Sequence, residues 1–119
     1  MANKPLHKYT VAEAGNLQVY ENYSSVTITV DDDNTDNNGT DWTTSGDGLA
    51  KEVTIIPISG TSGDTIKVAL KIGGSWGDYI TVRFDDFPIT INNLLIDQVR
   101  IESSGGTSTA EVFEVLSFH

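Results

Sequence analysis

Apolar residues recur at every second position in several short stretches of this chain, the period expected of strands, whose successive side chains point to opposite faces of a sheet. The clearest stretch is 25–30, Ser-Val-Thr-Ile-Thr-Val, where Val26, Ile28 and Val30 share one face and the threonines the other. Segment 65–72 repeats it, with Ile66, Val68, Leu70 and Ile72 inward and Lys67 and Lys71 outward. Segment 79–84 answers with Ile80, Val82 and Phe84. Between them, Gly73-Gly74-Ser75-Trp76-Gly77-Asp78 is rich in residues that accept positive φ, so the two segments are expected to form an antiparallel hairpin.

Further strands are expected at 8–11, 17–20, 52–58, 87–91, 96–102 and 110–118, with turns at Asp85-Asp86 and 103–107. Only 11–16 and 92–96 suit a helical turn, and neither is long enough for an ordinary helix. Short, regularly spaced strands without helices predict an all-β fold, an antiparallel β-sandwich of about eight to nine strands, jelly-roll-like or Greek key. Its expected core holds Val26, Ile28, Val68, Leu70, Ile80, Val82 and Phe84. In the last strand, Ala110, Val112, Leu116 and Phe118 alternate against Phe113 and Val115, which are expected to point outward together with Tyr79 and Thr81. A strand apolar on much of both faces is either central in the fold or covered by a partner.

With 119 residues the chain has material for one modest core, so 1–119 is expected to be a single domain. Residues 1–8 read as an N-terminal arm that orders on a neighbour. Residues 31–48, with six acids and no base, read as a long, protruding acidic loop.

Seven Lys and Arg face seventeen Asp and Glu, a net charge of -10, and such a surface repels phosphate, so nucleic acid and anionic membranes are not expected partners. The absence of cysteine excludes disulfides and Cys-ligated metals. The first residues lack the apolar stretch of a signal peptide, and no run reaches the ~20 apolar residues of a membrane span, so synthesis in the cytosol without secretion by a signal peptide is expected. The sequons Asn22-Tyr23-Ser24 and Asn38-Gly39-Thr40 read as chance in a chain rich in Asn, Ser and Thr.

The acidic loop is the candidate metal site, because calcium favours closely spaced oxygen ligands. Setting Gly39 at the sixth position of a calcium loop places Asn34, Asp36 and Asn38 at the first, third and fifth, but Ser45 stands where the closing bidentate acid belongs. The favoured reading is a solvated connection, and no cofactor is expected. Trp42 and Trp76 are large rings in polar surroundings, suited either to stacking on a partner or to folding back over a sheet end.

Catalytic groups are sparse. The histidines, His7 and His119, lie near the ends of the chain, where mobility is expected, and Gly73-Gly74-Ser75-Trp76-Gly77 departs from the nucleophile elbow. The acid pairs Asp85-Asp86 and Glu111 with Glu114 read as turn formers or solvated faces rather than glycosidase carboxylates. No phosphate-cradling glycine loop precedes a helix. The chain is therefore expected not to be an enzyme.

In its strand texture the region 50–118 resembles small virion proteins of tailed bacteriophages, those that decorate or cement capsids or sit in tails. The resemblance is carried by Glu52-Val-Thr-Ile-Ile-Pro-Ile-Ser, Asp64-Thr-Ile-Lys-Val-Ala-Leu, Tyr79-Ile-Thr-Val-Arg-Phe-Asp-Asp-Phe-Pro-Ile-Thr-Ile and Asp97-Gln-Val-Arg-Ile-Glu. It implies a structural protein on the capsid surface, made in the host cytoplasm. Its partners would be the major capsid protein or another virion protein, and it would act as a homo-oligomer, for instance a trimer. The residues proposed to meet that partner are Lys4, Pro5, Leu6, Tyr9, Trp42 and Trp76. The alternative is a carbohydrate-binding sandwich, calcium-assisted, stacking sugars on Trp42, Trp76, Tyr20, Tyr23 or Tyr79.

Overall fold

Strand formation follows the alternation read from the sequence, and the pairing of those strands follows a simple rule of nesting. A computed structural model describes residues 20–30, 38–40, 42, 46–103 and 110–119. Its strands are β1 (Tyr23–Val30), β2 (Asn38–Gly39), β3 (Ala50–Ser59), β4 (Thr65–Ile72), β5 (Ser75–Trp76), β6 (Ile80–Arg83), β7 (Ile89–Ile96), β8 (Gln98–Ser103) and β9 (Glu111–Phe118). A 3-10 turn spans Phe84–Asp86, and Trp42 carries helical backbone.

β1 pairs with β9, β2 with β8, β3 with β7 and β4 with β6, all antiparallel, so each pair encloses the next like the arms of one long hairpin. Rolling that hairpin sets β9 beside β3 and β8 beside β4. Two sheets result, β1-β9-β3-β7 (sheet 1) and β2-β8-β4 with β5 and β6 along the other edge of β4 (sheet 2). The fold is an antiparallel β-sandwich, and this nesting is the jelly-roll connection.

The expected hairpin between β4 and β6 forms, but with a second, tighter one inside it. Gly73 and Gly74, at φ 62° and 82°, make a two-residue turn that returns the chain as β5, with Ile72 opposite Ser75 and Lys71 opposite Trp76. One residue is then inserted before β6, because Val68 faces Ile80, and Gly77 N donates to the Leu70 carbonyl at 2.9 Å across this bulge. The helical turn expected at 92–96 is not formed. β7 continues to Ile96, and its pairing passes from Asn92–Glu52 to Ile96–Ala50, so 93–95 bulge outward through Asn93 at φ 63°.

Inward residues of the two sheets meet in one core. Ile28, Val30, Val53, Ile55, Phe113 and Val115 from sheet 1 face Ile66, Val68, Val99 and Ile101 from sheet 2, all buried. Each such side chain stabilises the fold by roughly 1.5–3 kcal/mol relative to exposure. Of the residues expected there, Ile28 and Val68 are buried, and Val26, Leu70, Val82 and Phe84 are half-buried against the cluster. Ile80 is 54% exposed, a departure from expectation. It pairs with inward-facing Val68, so its face is as read, but it begins a strand on the rim of sheet 2 beside Leu70 and exposed Ile72, where the opposing sheet gives no cover.

Phe113 and Val115 are also corrected, being fully buried rather than outward. β9 lies between β1 and β3, with Phe113 opposite Ile28 and Val115 opposite Ile55, so its odd-numbered face turns inward. Of the two readings for this strand, the central one holds. At that end of the core, Phe84 and Phe87 gather on Phe113 with ring centroids 5.8 and 4.9 Å away. Gly60 passes so closely that a Cβ there would lie 2.7 Å from Cγ of Glu111 and clash with the Phe84 ring.

Candidate binding surface

The outward face of sheet 2 gathers cations and aromatic rings. Strand alternation sends Lys67, Ala69 and Lys71 of β4 away from the core, opposite Glu102, Arg100 and Gln98 of β8. The tight Gly73–Gly74 turn places Trp76 beside Lys71 on this face, and the bulge brings up Tyr79. Arg100 then lies over the Trp76 ring, 4.0 Å from its centroid, with Lys71 Nζ at 6.0 Å. Ala69 points outward yet is 1% exposed, because its small side chain forms a floor in the row that Arg100 and Trp76 occupy.

A second cation–ring pair adjoins the first. Lys67 Nζ lies 5.2 Å from the Tyr79 centroid and 3.9 Å from Glu102 Oε1. The Tyr79 hydroxyl donates to Glu102. Partial desolvation, then this bond, raises the Tyr79 pKa, and Arg100 beside the hydroxyl pulls it part of the way back. Lys71 Nζ donates to an amide, Gln98 Oε1, at 3.3 Å. Among the described residues, Lys67, Lys71 and Arg100 thus share a face with Glu102, and Arg83, opposite Thr65 on the same face, lies 3.5 Å from Asp85, in a chain whose net charge is -10. At the rim, Leu70, Ile72, Ser75, Trp76, Gly77, Asp78 and Ile80 line a groove of about 330 Å³.

Trp42, weighed as a stacking platform, is instead 1% exposed and part of the core. The segment 31–48 is likewise not one protruding loop. Asn38 and Gly39 form β2 against Ile101 and Arg100, and Thr40 is anchored to Val99 by Thr40 N to Val99 O and Val99 N to Thr40 Oγ1, both 2.9 Å. Asn38 therefore sits in a ladder. Lys4, Pro5, Leu6, Tyr9, His7, Asn34 and Asp36, and the strand and helical turn expected at 8–11 and 11–16, lie outside the described residues, as does most of 17–20. Among the described residues no group of three or more His, Cys, Asp or Glu could hold a metal ion, and no helix is long and apolar enough to cross a membrane.

His119 departs from the expected mobile end, being 4% exposed. Its Nδ1 lies 3.2 and 3.1 Å from the carbonyls of Gly48 and Leu49, which assigns the ring proton to that atom. Nε2 then accepts from Ser117 Oγ at 2.9 Å, and Ser117 Oγ lies 2.8 Å from Ser24 Oγ. Trp42 closes the cluster edge-on at 5.4 Å. This serine–histidine chain is sealed, since Ser117 is fully buried, and it fastens the end of β9 to β1 and to 48–49. Its signal was present in the sequence: Phe113, Val115, Ser117 and His119 continue one period-two face.

The acid pairs separate. Glu111 points inward and is fully buried, whereas Glu114 points outward and accepts from Thr27 Oγ1 at 2.8 Å and from Ser25. Asp85, on the 3-10 turn, accepts from Ser62 Oγ at 3.1 Å and Gly63 N at 3.2 Å, the turn role read from the sequence. Comparison with protein-family models, curated proteins and solved structures finds no match for this chain.

Proposed function

We propose that this protein is a non-enzymatic binding protein, a bacteriophage virion accessory of the decoration or cement type that attaches to the capsid lattice as a homo-oligomer. The observation that supports this most is the face of sheet 2, where Trp76, Tyr79, Lys67, Lys71 and Arg100 crowd one surface of an otherwise acidic chain. Such a face offers aromatic area and charge complementary to an acidic surface, the chemistry of contact. The jelly-roll connection and the texture of residues 50–118 agree with the virion reading, since this architecture serves capsid and lectin domains alike. No calcium or other cofactor is required.

Mass spectrometry of purified virions tests it: the chain is expected intact, at a copy number near that of a capsid lattice position, and to co-sediment with capsids when added back. Absence from virions and failure to co-sediment would reject the virion role.

The same face favours one second reading, a carbohydrate-binding sandwich, because Trp76 and Tyr79 stand together on one sheet surface beside polar groups suited to sugar hydroxyls. A virion protein can carry such a site, so the two readings coexist.

A further inference from the structure

We infer that the free edge of β1 pairs with the same edge of a second copy, antiparallel across a two-fold axis, so that two four-stranded sheets become one continuous sheet. The inference rests on the homo-oligomer part of the proposed function and names the surface that joins the copies. β1 ends sheet 1, with β9 on one side and no described strand on the other.

The register fixes which backbone groups that edge offers. Asn22 and His119 exchange both backbone hydrogen bonds, His119 N to Asn22 O at 2.8 Å and Asn22 N to His119 O at 3.4 Å. In an antiparallel ladder such pairs alternate with pairs whose N–H and C=O groups turn away from each other. The register runs in step from Tyr23–Phe118 to Val30–Glu111, so Ser24, Val26, Ile28 and Val30 bond β9, while Tyr23, Ser25, Thr27 and Thr29 turn their backbone groups to the free edge.

Sheet edges ordinarily carry a device against pairing: charge, proline, a bulge or short length. Among the described residues, β7 follows Pro88 and bulges at 93–95, and β2 has two residues. The edge along β4 is split between short β5 and β6, and β6 ends on Arg83. Tyr23–Val30 carries none of these devices: it runs eight residues in unbroken register without Lys, Arg, Asp, Glu, Pro or Gly. Its inward face is also short of cover, since Val26 is only half-buried and the neighbouring edge of sheet 2 is the two-residue β2. The Tyr20 side chain is turned away from this edge, over Phe118 and onto Glu52 of β3, two strands in.

A second copy fits because the edge is complementary to itself. With Thr27 on the axis, the outward groups of Ser25 meet those of the partner's Thr29, and Val26 meets the partner's Ile28 on the inward face. Charge points the same way, since two chains of net charge -10 meet at least cost where both present an uncharged strand. The pairing uses up both open edges and leaves guarded ones outside, so assembly closes at two.

Sedimentation equilibrium and amide exchange by NMR, both on the full chain, test this. A concentration-dependent dimer is expected, in which the amides of Ser25, Thr27 and Thr29 exchange at least about tenfold more slowly than in the dilute monomer. Those of Val26 and Ile28, held by β9 in both states, are expected to change little. Thr29→Pro removes one outward N–H and spares the β9 ladder, and Thr29→Lys puts a charge on the edge; each is expected to weaken association by about tenfold or more. Thr90→Lys, which adds the same charge on β7, is expected to leave association unchanged. Melting temperatures of the dilute variants verify folding, and where Thr29→Pro does not fold, Thr29→Lys carries the test. A monomer at millimolar concentration, association indifferent to both Thr29 variants, or slow exchange of Thr27 and Thr29 already in the dilute monomer would each overturn the pairing. A monomer that co-sediments with capsids would overturn the pairing and leave the virion role standing, whereas an edge-paired dimer absent from virions would reject that role alone.

Discussion

The two outward faces of the sandwich are built from the same alternation and end in opposite electrostatic states. On sheet 1 the polar groups satisfy one another: Ser25 and Thr27 share the Glu114 carboxylate, Thr54 and Thr90 hydroxyls meet at 3.0 Å, and the Tyr20 hydroxyl donates to Glu52 at 2.6 Å. Phe118 on that face is flanked in turn by the Tyr20 and Tyr23 rings, 5.3 and 6.2 Å away. On sheet 2 Lys71 and Tyr79 also make hydrogen bonds, yet Arg100 Nε is left without one and cationic charge is left over beside exposed aromatic surface. The lesson is that satisfied hydrogen bonds do not make a face inert; surplus charge next to carbon does the recruiting.

The strongest way to break this comparison is to remove what both faces stand on. Phe113→Ala is expected to cost about 3–5 kcal/mol in chemical denaturation, because a fully buried ring loses its Phe84 and Phe87 contacts. A cost below about 1 kcal/mol would mean the core is assigned wrongly.

Outer rings should then separate the faces. Phe118→Ala, half-buried beneath two tyrosines, is expected to cost about 2 kcal/mol. Trp76→Ala, whose loss is chiefly a cation–π contact and the roof over Ala69, should cost about 1 kcal/mol. Equal stability losses would erase the distinction between a structural face and a binding one.

The smallest effect sharpens the comparison through pH. Tyr20 is pushed up to about 12 by its hydrogen bond to Glu52, with desolvation and the Glu52 charge adding to it. Tyr79 is raised as well, but Arg100 offsets part of the rise. Both hydroxyls favour the fold while protonated, so their contribution is intact below pH 10 and is lost as pH climbs from about 10 towards 12. Phenolate absorbance in Tyr20→Phe and Tyr79→Phe variants is expected to show Tyr79 ionising first. The reverse order would mean Arg100 does not act on Tyr79.

Much of this was legible in the sequence, for reasons that also explain the failures. Alternation in β1 and β4 fixed the faces of Val26, Ile28, Val30, Ile66 and Val68, and it correctly sent Lys67 and Lys71 outward. Alternation says which face a residue joins, but not whether another sheet lies opposite, and that is why Ile80 and Ile72 are exposed. In β9 both faces are apolar, so no polarity contrast distinguishes in from out; the central position decided it for Phe113 and Val115. Trp42 escaped because it lies outside the strands, beyond the two-residue β2, where no period of two assigns a face. The Trp76–Arg100 stack depends on the register between β4, β5 and β8, which local sequence does not encode.

The nesting of the strand pairs has a consequence for how the chain is made. Ser24 and Ser117, in the outermost pair, are 93 residues apart, whereas Thr54 and Thr90, two layers in, are 36 apart. Closing the wider loop costs more entropy before any contact repays it, so the β4–β6 hairpin is favoured to form first and the β1–β9 pair last. During synthesis β1 emerges with Val26, Ile28 and Val30 and waits for a partner that follows every other strand in the chain. In that interval an apolar strand edge stands open to its counterparts on neighbouring polysomes. Repulsion between acidic chains acts at that moment, since residues 1–110 already carry fifteen of the seventeen Asp and Glu against seven Lys and Arg, keeping half-made copies apart until β9 arrives.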